Sequence, residues 1–439
     1  MDTAVDLSHI PFWGLPQAER HEAFRRLRAL DRPVFFRENK IPFIGHGPGY
    51  YALVRHADVT EASRNAAVFS SEPTANSIND MPRWLAVYFG SMINMDDPRH
   101  ARLRRIVSRA FTPRILAKME EDLARAAREI VDRAVREGPG DFVTQIAARL
   151  PVRVICDMMG IPAEHHDRVL RRTNTVLANA DSEYSGVSVD PSSPDGSFGR
   201  WSTARGLAAL LRAGHDLNTL ARRLAGERRR RPTGDLTSML VHGEERLTAQ
   251  ELGSFFILLV VAGSETTRNA VAHGLKLLTD HPDQRALLLE DFDGRVAGAV
   301  EEIVRYCTPV IQFRRTVTRD HTMNGQDYRA GDKVLLFYNS ANRDEAVFSD
   351  PDVFDITRSP NPHVGFGGPG PHYCLGAHLA RREITVMFRE LFDRMPAIRS
   401  VGEPSYLLSN FINGVKHMSY RIRPQCSGLQ AGGEADCPA

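Results

Sequence analysis

One segment constrains this chain more than any other. Pro362 to Arg382 reads PHVGFGGPGPHYCLGAHLARR and sets a single cysteine between a Gly/Pro-rich loop and a helix. The helix follows from Ile384, Met387, Phe388 and Leu391, which obey the i, i+3, i+4, i+7 rule. Unpaired backbone N–H groups and the positive helix end near Cys374 favour its thiolate, lowering the pKa from about 8.5. The sulfur is thereby prepared to be a metal ligand or a nucleophile. Gly367, Gly368 and Gly370, with Pro369 and Pro371, make a stiff loop without bulky side chains, so a flat aromatic macrocycle can lie close to its backbone. Gly376 leaves similar room just after the sulfur. A cysteine hydrolase would need a general base, for which His372 is nearest. On this segment alone haem ligation and nucleophilic chemistry both stay open, with a purely structural loop behind them.

The other cysteines are unremarkable in context. Cys156, Cys307, Cys426 and Cys437 show neither CxxC pairs nor the close spacing of a disulfide framework. Across 439 residues, 56 Lys and Arg nearly cancel 54 Asp and Glu, so no overall field draws the protein to nucleic acid or anionic membrane. Arg228 to Arg231 end a helical pattern before Pro232, where cations complement the negative helix terminus. The first residues lack a basic stretch followed by an apolar core, and the longest apolar run, Phe255 to Ala262, is far short of a span. A cytoplasmic protein without a transmembrane anchor is expected.

Amphipathic stretches over Ala101 to Ala110, Ile115 to Arg136, Glu164 to Asn179, Ala204 to Arg231 and Val296 to Tyr306 predict helices. Strands are few: Tyr50 to Arg55, and Arg314 to Phe337 with Asn324-Gly325 as a hairpin turn and Lys333 to Tyr338 as its last strand. This is a mainly α chain with a small β region. Between Asp181 and Gly199 the composition turns to Ser, Gly, Pro and Asp, which predicts a mobile loop, either a surface insertion or a lid. One compact domain is expected over residues 1–424, with a disordered tail at 425–439.

Two further patterns stand out. Gly263, Ser264, Glu265, Thr266 and Thr267 follow the apolar run inside a buried helix, where polar groups cost energy unless bonded. A threonine hydroxyl can bond the carbonyl one turn back and glycine allows a local opening. Glu302 and Arg305 stand three apart on one face, which alone reads as an ordinary surface ion pair.

Taken in order, these motifs resemble the cytochrome P450 superfamily. The loop is similar to its haem-binding pattern Phe-Gly-x-Gly-x-His-x-Cys-x-Gly, with Gly370, His372, Cys374 and Gly376 in register and Phe366 and Gly367 one residue further out. That lengthened form resembles an actinobacterial group that oxidises steroids and methyl-branched lipids. The resemblance implies the family's helical prism enclosing haem b (iron protoporphyrin IX), with Cys374 as axial ligand. Ala262 to Thr267 is similar to the oxygen-activation motif, which makes Ala262 and Gly263 cofactor neighbours, Thr266 the hydroxyl at the oxygen site and Glu265 a proton relay. Glu302 and Arg305 match the family's Glu-x-x-Arg pair, completed by Arg358. His100, Arg104, Arg315 and His372 match its propionate ligands, with Arg105 and Arg314 as alternatives if the register slips.

The implied reaction is monooxygenation with O2. No flavin or nicotinamide fingerprint is present, so electrons are expected from a ferredoxin and its reductase, docking on Arg102, Arg105, Arg109 and Arg382. Trp84, Leu85, Tyr88, Phe89, Met92, Ile93, Val310, Ile311, Phe313, Phe411 and Ile412 fall where the family lines its pocket, although each alone reads equally as core. The strings YFGSMINMDDPRH and VAGSETTRNA look like the lipid-oxidising group, with Ser264 where that group often has asparagine. An apolar branched isoprenoid, fatty or steroid chain is the implied substrate. A haem-thiolate peroxygenase, an oxygenase of polyketide or macrolide products and a non-haem cysteine hydrolase are the alternatives.

Overall fold

A computed structural model describes residues 5–39, 47–80, 82–89, 91–178, 181–185, 200–243, 245 and 247–422. Long helices carry most of the fold: Arg99–Ser108, Glu120–Glu137, Arg149–Met159, His166–Leu177, Arg200–Arg230, Ala249–Asp280, Phe292–Cys307 and Ala377–Arg394. Each exists because one stripe of it is apolar. Glu120–Glu137, for example, buries Leu123, Ala126, Ala127, Ile130, Val131 and Ala134 at helical spacing. The continuous helix expected from Ile115 to Arg136 is instead two pieces, Pro113–Lys118 and Glu120–Glu137. Three acids, Glu120, Glu121 and Asp122, favour a new helix start there by facing the N-terminal dipole.

Ala249–Asp280 is the axis of the molecule. It opens with a capping box, Thr248 accepting from the Glu251 N–H while Glu251 accepts from the Thr248 N–H. It then packs against Arg149–Met159, His166–Leu177, Arg200–Arg230, Phe292–Cys307 and Ala377–Arg394. Among the described residues it is the one helix long and apolar enough to cross a membrane, but 72% of its apolar window is buried inside the protein. A helix surrounded by helices is apolar all round for that reason.

The β region comprises β1 (Val34–Phe36), β2 (Tyr50–Leu53), β3 (Phe69–Ser70), β4 (Gln312–Val317), β5 (His321–Met323), β6 (Gln326–Tyr328), β7 (Lys333–Phe337), β8 (Arg399–Tyr406) and β9 (Val415–Arg421). Five strands form one sheet in the order β1-β2-β7-β4-β3, in which only β2 and β7 run parallel. Asn324 and Gly325, at φ 50° and 76°, make the expected turn, here between β5 and β6. The β8–β9 hairpin was not anticipated, because Gly402 and Pro404 interrupt any alternation in β8. Of the expected loop, Ser182–Ser185 is a short helix and residues 186–199 lie outside the described residues, as does the tail at 425–439. Long helices beside small sheets are the mainly α architecture expected.

Candidate active site

The cysteine loop is set by backbone contacts. The Cys374 N–H donates to the Phe366 carbonyl at 2.9 Å, and Gly367 and Gly370 adopt φ 87° and 146°. A Cβ on Gly370 would lie 2.2 Å from the Ser63 carbonyl, so the loop closes on the helix His56–Arg64 only with glycine there. A Cβ on Gly376 would meet nothing within 4 Å, which is the open room anticipated beside the sulfur. The direction of the thiol's shift differs from expectation. Burial pushes the Cys374 thiol up, outweighing the Gly376 N–H, Arg104 and Arg381, which pull it down. The helix begins only at Ala377, and the sulfur faces an apolar cavity beside Leu375 and Ile384. A thiolate in such a place is held by a coordinated cation rather than by the helix end.

Beside this loop, basic groups converge. His100 and Arg104 project from one face of Arg99–Ser108, Arg315 comes from β4, and the His100 and His372 rings lie 4.2 Å apart. Arg104 donates to the Tyr373 carbonyl at 2.6 Å, and His372 Nε2 lies 3.0 Å from the Ser71 hydroxyl. Arg315 is buried yet, among the described residues, bonds only the carbonyl of Arg314, at 2.8 Å. His100 Nε2 is buried without any partner. Burial first, then Arg315, His100 and Arg104, push His372 down to about 2. Burial likewise lowers Arg315, Arg104 and His100. Four basic groups around one cavity, two of them the histidines that the neighbouring arginines push down, form a site suited to an anion.

The alternatives of register are settled by pairing. Arg105 leaves the cavity for Glu245 at 2.6 Å, and Arg314 pairs with Asp80 at 2.7 Å. Below the loop, Glu302 and Arg305 are fully buried and 2.7 Å apart. Glu302 also takes Arg358 at 3.4 Å, Asn361 at 3.1 Å and the Asp355 N–H at 3.0 Å. The ordinary surface pair suggested by spacing is therefore corrected to a buried network.

On the central helix the Thr266 hydroxyl donates to the Ala262 carbonyl at 2.8 Å, the bond anticipated from sequence. Glu265 is buried against Arg268, which in turn reaches Asn174 at 2.9 Å, and its Oε2 has no partner. Burial pulls Arg268 down to about 10. A Cβ on Gly263 would come within 2.6 Å of Ile155 Cδ1, so this glycine serves close helix packing as well as facing the cavity.

Two cavities meet at this point. His100, Arg104, Ala262, Gly263, Arg315, Phe366, Gly367, His372, Cys374 and Gly376, expected to hold a cofactor, all line one of about 230 Å³. Leu85, Phe89, Phe411 and Ile412 line a second of about 440 Å³. Ile93, Leu258, Ala262, Thr266, Val310 and Phe313 belong to both, while Met92 lines the first. Glu265 lines neither.

The cytochrome P450 family model matches residues 82–395. The chain belongs to the cytochrome P450 family. It is 46% identical over 418 residues to a methyl-branched lipid omega-hydroxylase of Mycobacterium tuberculosis, covering 94% of this chain and 93% of that one. Identity to a steroid C26-monooxygenase of Mycolicibacterium smegmatis is 37% over 401 residues, covering 89% and 87%. Its fold superposes on a Mycobacterium marinum cytochrome P450 solved in complex with pseudoionone, with a TM-score of 0.88 and 40% identity over 95% of this chain and 98% of that one.

This cytochrome P450 is a monooxygenase whose cofactor is haem b. Its smaller cavity fits that group on two counts: a sulfur on one wall for iron, and an unpaired Arg315 with an orphaned His100 nitrogen for the two carboxylates. The hydrolase alternative falls with the family assignment, and no hydrogen bond joins His372 to Cys374. Three pocket assignments are corrected. Tyr88 lines neither cavity and instead turns towards Gly214 and Asn218 of Arg200–Arg230. Trp84 is 56% exposed and lines neither cavity, since Leu85 and Phe89, four apart, take the inner face of Arg83–Phe89. Ile311 packs in the core with Phe12, Trp13 and Phe337, because alternation turns it away from the side that Val310 occupies. Of the basic face, Arg102 pairs with Glu251, Arg105 with Glu245 and Arg382 with Glu120, while Arg109 is exposed. Sequence reasoning missed Glu383, a buried carboxyl on the cofactor wall whose pKa burial raises. A lone acid beside Ile384 and Met387 on an apolar stripe was the available signal. It also missed the polar wall of Thr74, Asn76, Ser91 and Asn94, which carries no periodic signal.

Proposed function

We propose that this cytochrome P450 hydroxylates a terminal methyl of a branched isoprenoid, fatty or steroid side chain, with electrons from a ferredoxin and its reductase. The observation that carries this reading is the larger cavity, which has no charged residue among its described lining and reaches Thr266 through an apolar wall shared with the cofactor cavity. The printed activities of the lipid omega-hydroxylase and the steroid C26-monooxygenase support it.

Cys374 holds the iron, and His100, Arg104, Arg315 and His372 hold the propionates. Bound haem supplies the oxygen activation and C–H oxidation. Thr266, its proton on the Ala262 carbonyl, presents its hydroxyl oxygen as an acceptor at the junction of the cavities, and Glu265, paired to Arg268 with Oε2 unengaged, relays protons from behind. Residues gathered from 100 to 376 into one site accord with a single unit over 1–424. Exposed Arg109, beside Arg102, Arg105 and Arg382, is the centre of the face offered to the ferredoxin.

A terminal C–H bond is stronger than its tertiary neighbour, so selectivity comes from orientation. Phe89, Ile257, Val261, Val310 and Phe313 bury a chain at about 0.8 kcal/mol per methylene and hold its end against the shared wall. A panel of branched esters, straight fatty acids, sterols and macrolides, scored by iron spin shift and product position, tests this. Preference for macrolides, or oxidation only at internal carbons, refutes it.

A further inference from the structure

The larger cavity combines two environments. The six residues it shares with the cofactor cavity are apolar except Thr266. Beyond that wall the lining mixes apolar residues such as Phe89, Leu207 and Phe411 with a polar group, Thr74, Asn76, Asn79, Ser91 and Asn94, contributed by the segments 74–79 and 91–94. None of these polar residues reaches the cofactor cavity. A molecule in the cavity therefore meets this hydrogen-bonding group as well as the apolar wall shared with the cofactor cavity.

The polar group has capacity to spare. Ser91 is buried, precedes the turn Met92–Asn94 and makes no capping bond with its hydroxyl. Asn94 accepts the Ala75 N–H at 2.9 Å with Oδ1, which fixes its amide orientation and leaves Nδ2 as a donor. Asn76 Oδ1 accepts from the Thr74 hydroxyl at 2.9 Å. Behind this wall the cations are already engaged. Lys333 is held by Glu38 at 2.6 Å and Asp80 at 2.8 Å, and Arg314 by Asp80 at 2.7 Å. Two acids and two bases cancel, and Asn79 Nδ2 bonds Glu38 at 3.2 Å.

Resting on the lipid reading above, we propose that this wall selects substrates whose far end is an uncharged hydrogen-bonding group, an ester, ketone or hydroxyl, over those ending in an ionised carboxylate. Burying a carboxylate requires a cation or a dense set of donors, and the described lining offers no cation. The contrast lies in the same chain: around the cofactor cavity His100, Arg104, Arg315 and His372 converge where carboxylates are to be held. A neutral carbonyl or hydroxyl needs only one or two donors, which Ser91 and Asn94 present. The head group thereby anchors the end opposite the oxidised methyl.

The test is a set of four ligands sharing one methyl-branched chain and ending in a carboxylic acid, its methyl ester, the primary alcohol or no head group. Their dissociation constants are measured on the haem-loaded enzyme at pH 8 by calorimetry and by spin-state absorbance, alongside product position. Ester and alcohol should bind on the order of tenfold more tightly than the acid. Ser91→Ala should weaken ester and alcohol by roughly three- to tenfold while leaving the headless hydrocarbon unchanged. Asn76→Arg should improve the acid selectively. An acid that binds as tightly as the ester overturns the proposal. So does an equal loss of the hydrocarbon in Ser91→Ala, or no gain for the acid in Asn76→Arg. If none of the four ligands binds, the lipid reading itself fails. If the hydrocarbon binds and is oxidised at its terminal methyl but the head-group order is absent, only this inference fails.

Discussion

Glu302→Ala tests whether the cysteine loop is held by the buried network beneath it. Glu302 and Arg305 are both fully buried, and Glu302 alone bridges Arg305, Arg358, Asn361 and the Asp355 N–H. Removing it leaves the Arg305 cation inside the protein with the Asn342, Pro351 and Val353 carbonyls and the Tyr306 and Phe348 rings but no acid. Breaking a buried pair from one side costs about 3–5 kcal/mol, mostly through the charge left behind. Unfolding entropy of about 2.1 cal/mol/K per residue, over 439 residues, converts 1 kcal/mol to roughly 1 °C. The apparent midpoint should therefore fall by roughly 3–5 °C. Haem content should fall with it, because the Val364 N–H at the base of the loop donates to Asn342 Oδ1, and Asn342 also accepts from Arg305. The assay is differential scanning calorimetry with haem quantified per chain. The double variant Glu302→Leu, Arg305→Met removes both charges and should recover part of the loss. A midpoint shift below about 1 °C in Glu302→Ala, or a double variant worse than the single, refutes the reasoning.

Cys374→Ala should abolish the thiolate-type spectrum of the reduced carbon monoxide complex, whereas Cys156→Ser and Cys307→Ser should keep it, because both those thiols are buried away from either cavity. Survival of the spectrum in Cys374→Ala would falsify the ligand assignment. Thr266→Ala should retain haem and substrate affinity but release reducing equivalents as peroxide, and full coupling of electrons to product would rule out its proton role. His417 bridges Asp141 and Glu183, whose hydrogen bonds raise its pKa, and so pins the short helix Ser182–Ser185 beside the cavity. A raised histidine contributes below its ordinary value near 6.5, and the contribution is lost as pH rises through the raised one. Glu183, lowered by His417 and Lys416, contributes above its ordinary range and loses this as pH falls through the lowered value. Amide exchange across 182–185, corrected for intrinsic rates, should accelerate between mildly acidic and alkaline pH, and His417→Gln should remove that dependence. An unchanged profile in the variant would count against the latch.

Local chemistry wrote much of this protein into its sequence. The cysteine between a glycine-rich loop and a helix, the threonine that bonds the carbonyl one turn back and the Asn324-Gly325 turn all rest on contacts within a few residues, which spacing determines. Helical stripes are equally local, and their burial follows. Which arginine faces the cofactor could not be so decided. Arg104 and Arg105, like Arg314 and Arg315, are neighbours in sequence, and only the distant Glu245 and Asp80 draw one of each pair away. The burial of Glu302 and Arg305, the exposure of Trp84 and the turning of Ile311 into the core likewise depend on elements remote in the chain. The shift of the Cys374 thiol runs opposite to expectation for the same reason: a helix end acts locally, but desolvation is set by everything that packs around the sulfur. Sequence determines which groups can do chemistry, and the fold decides which of them share a cavity.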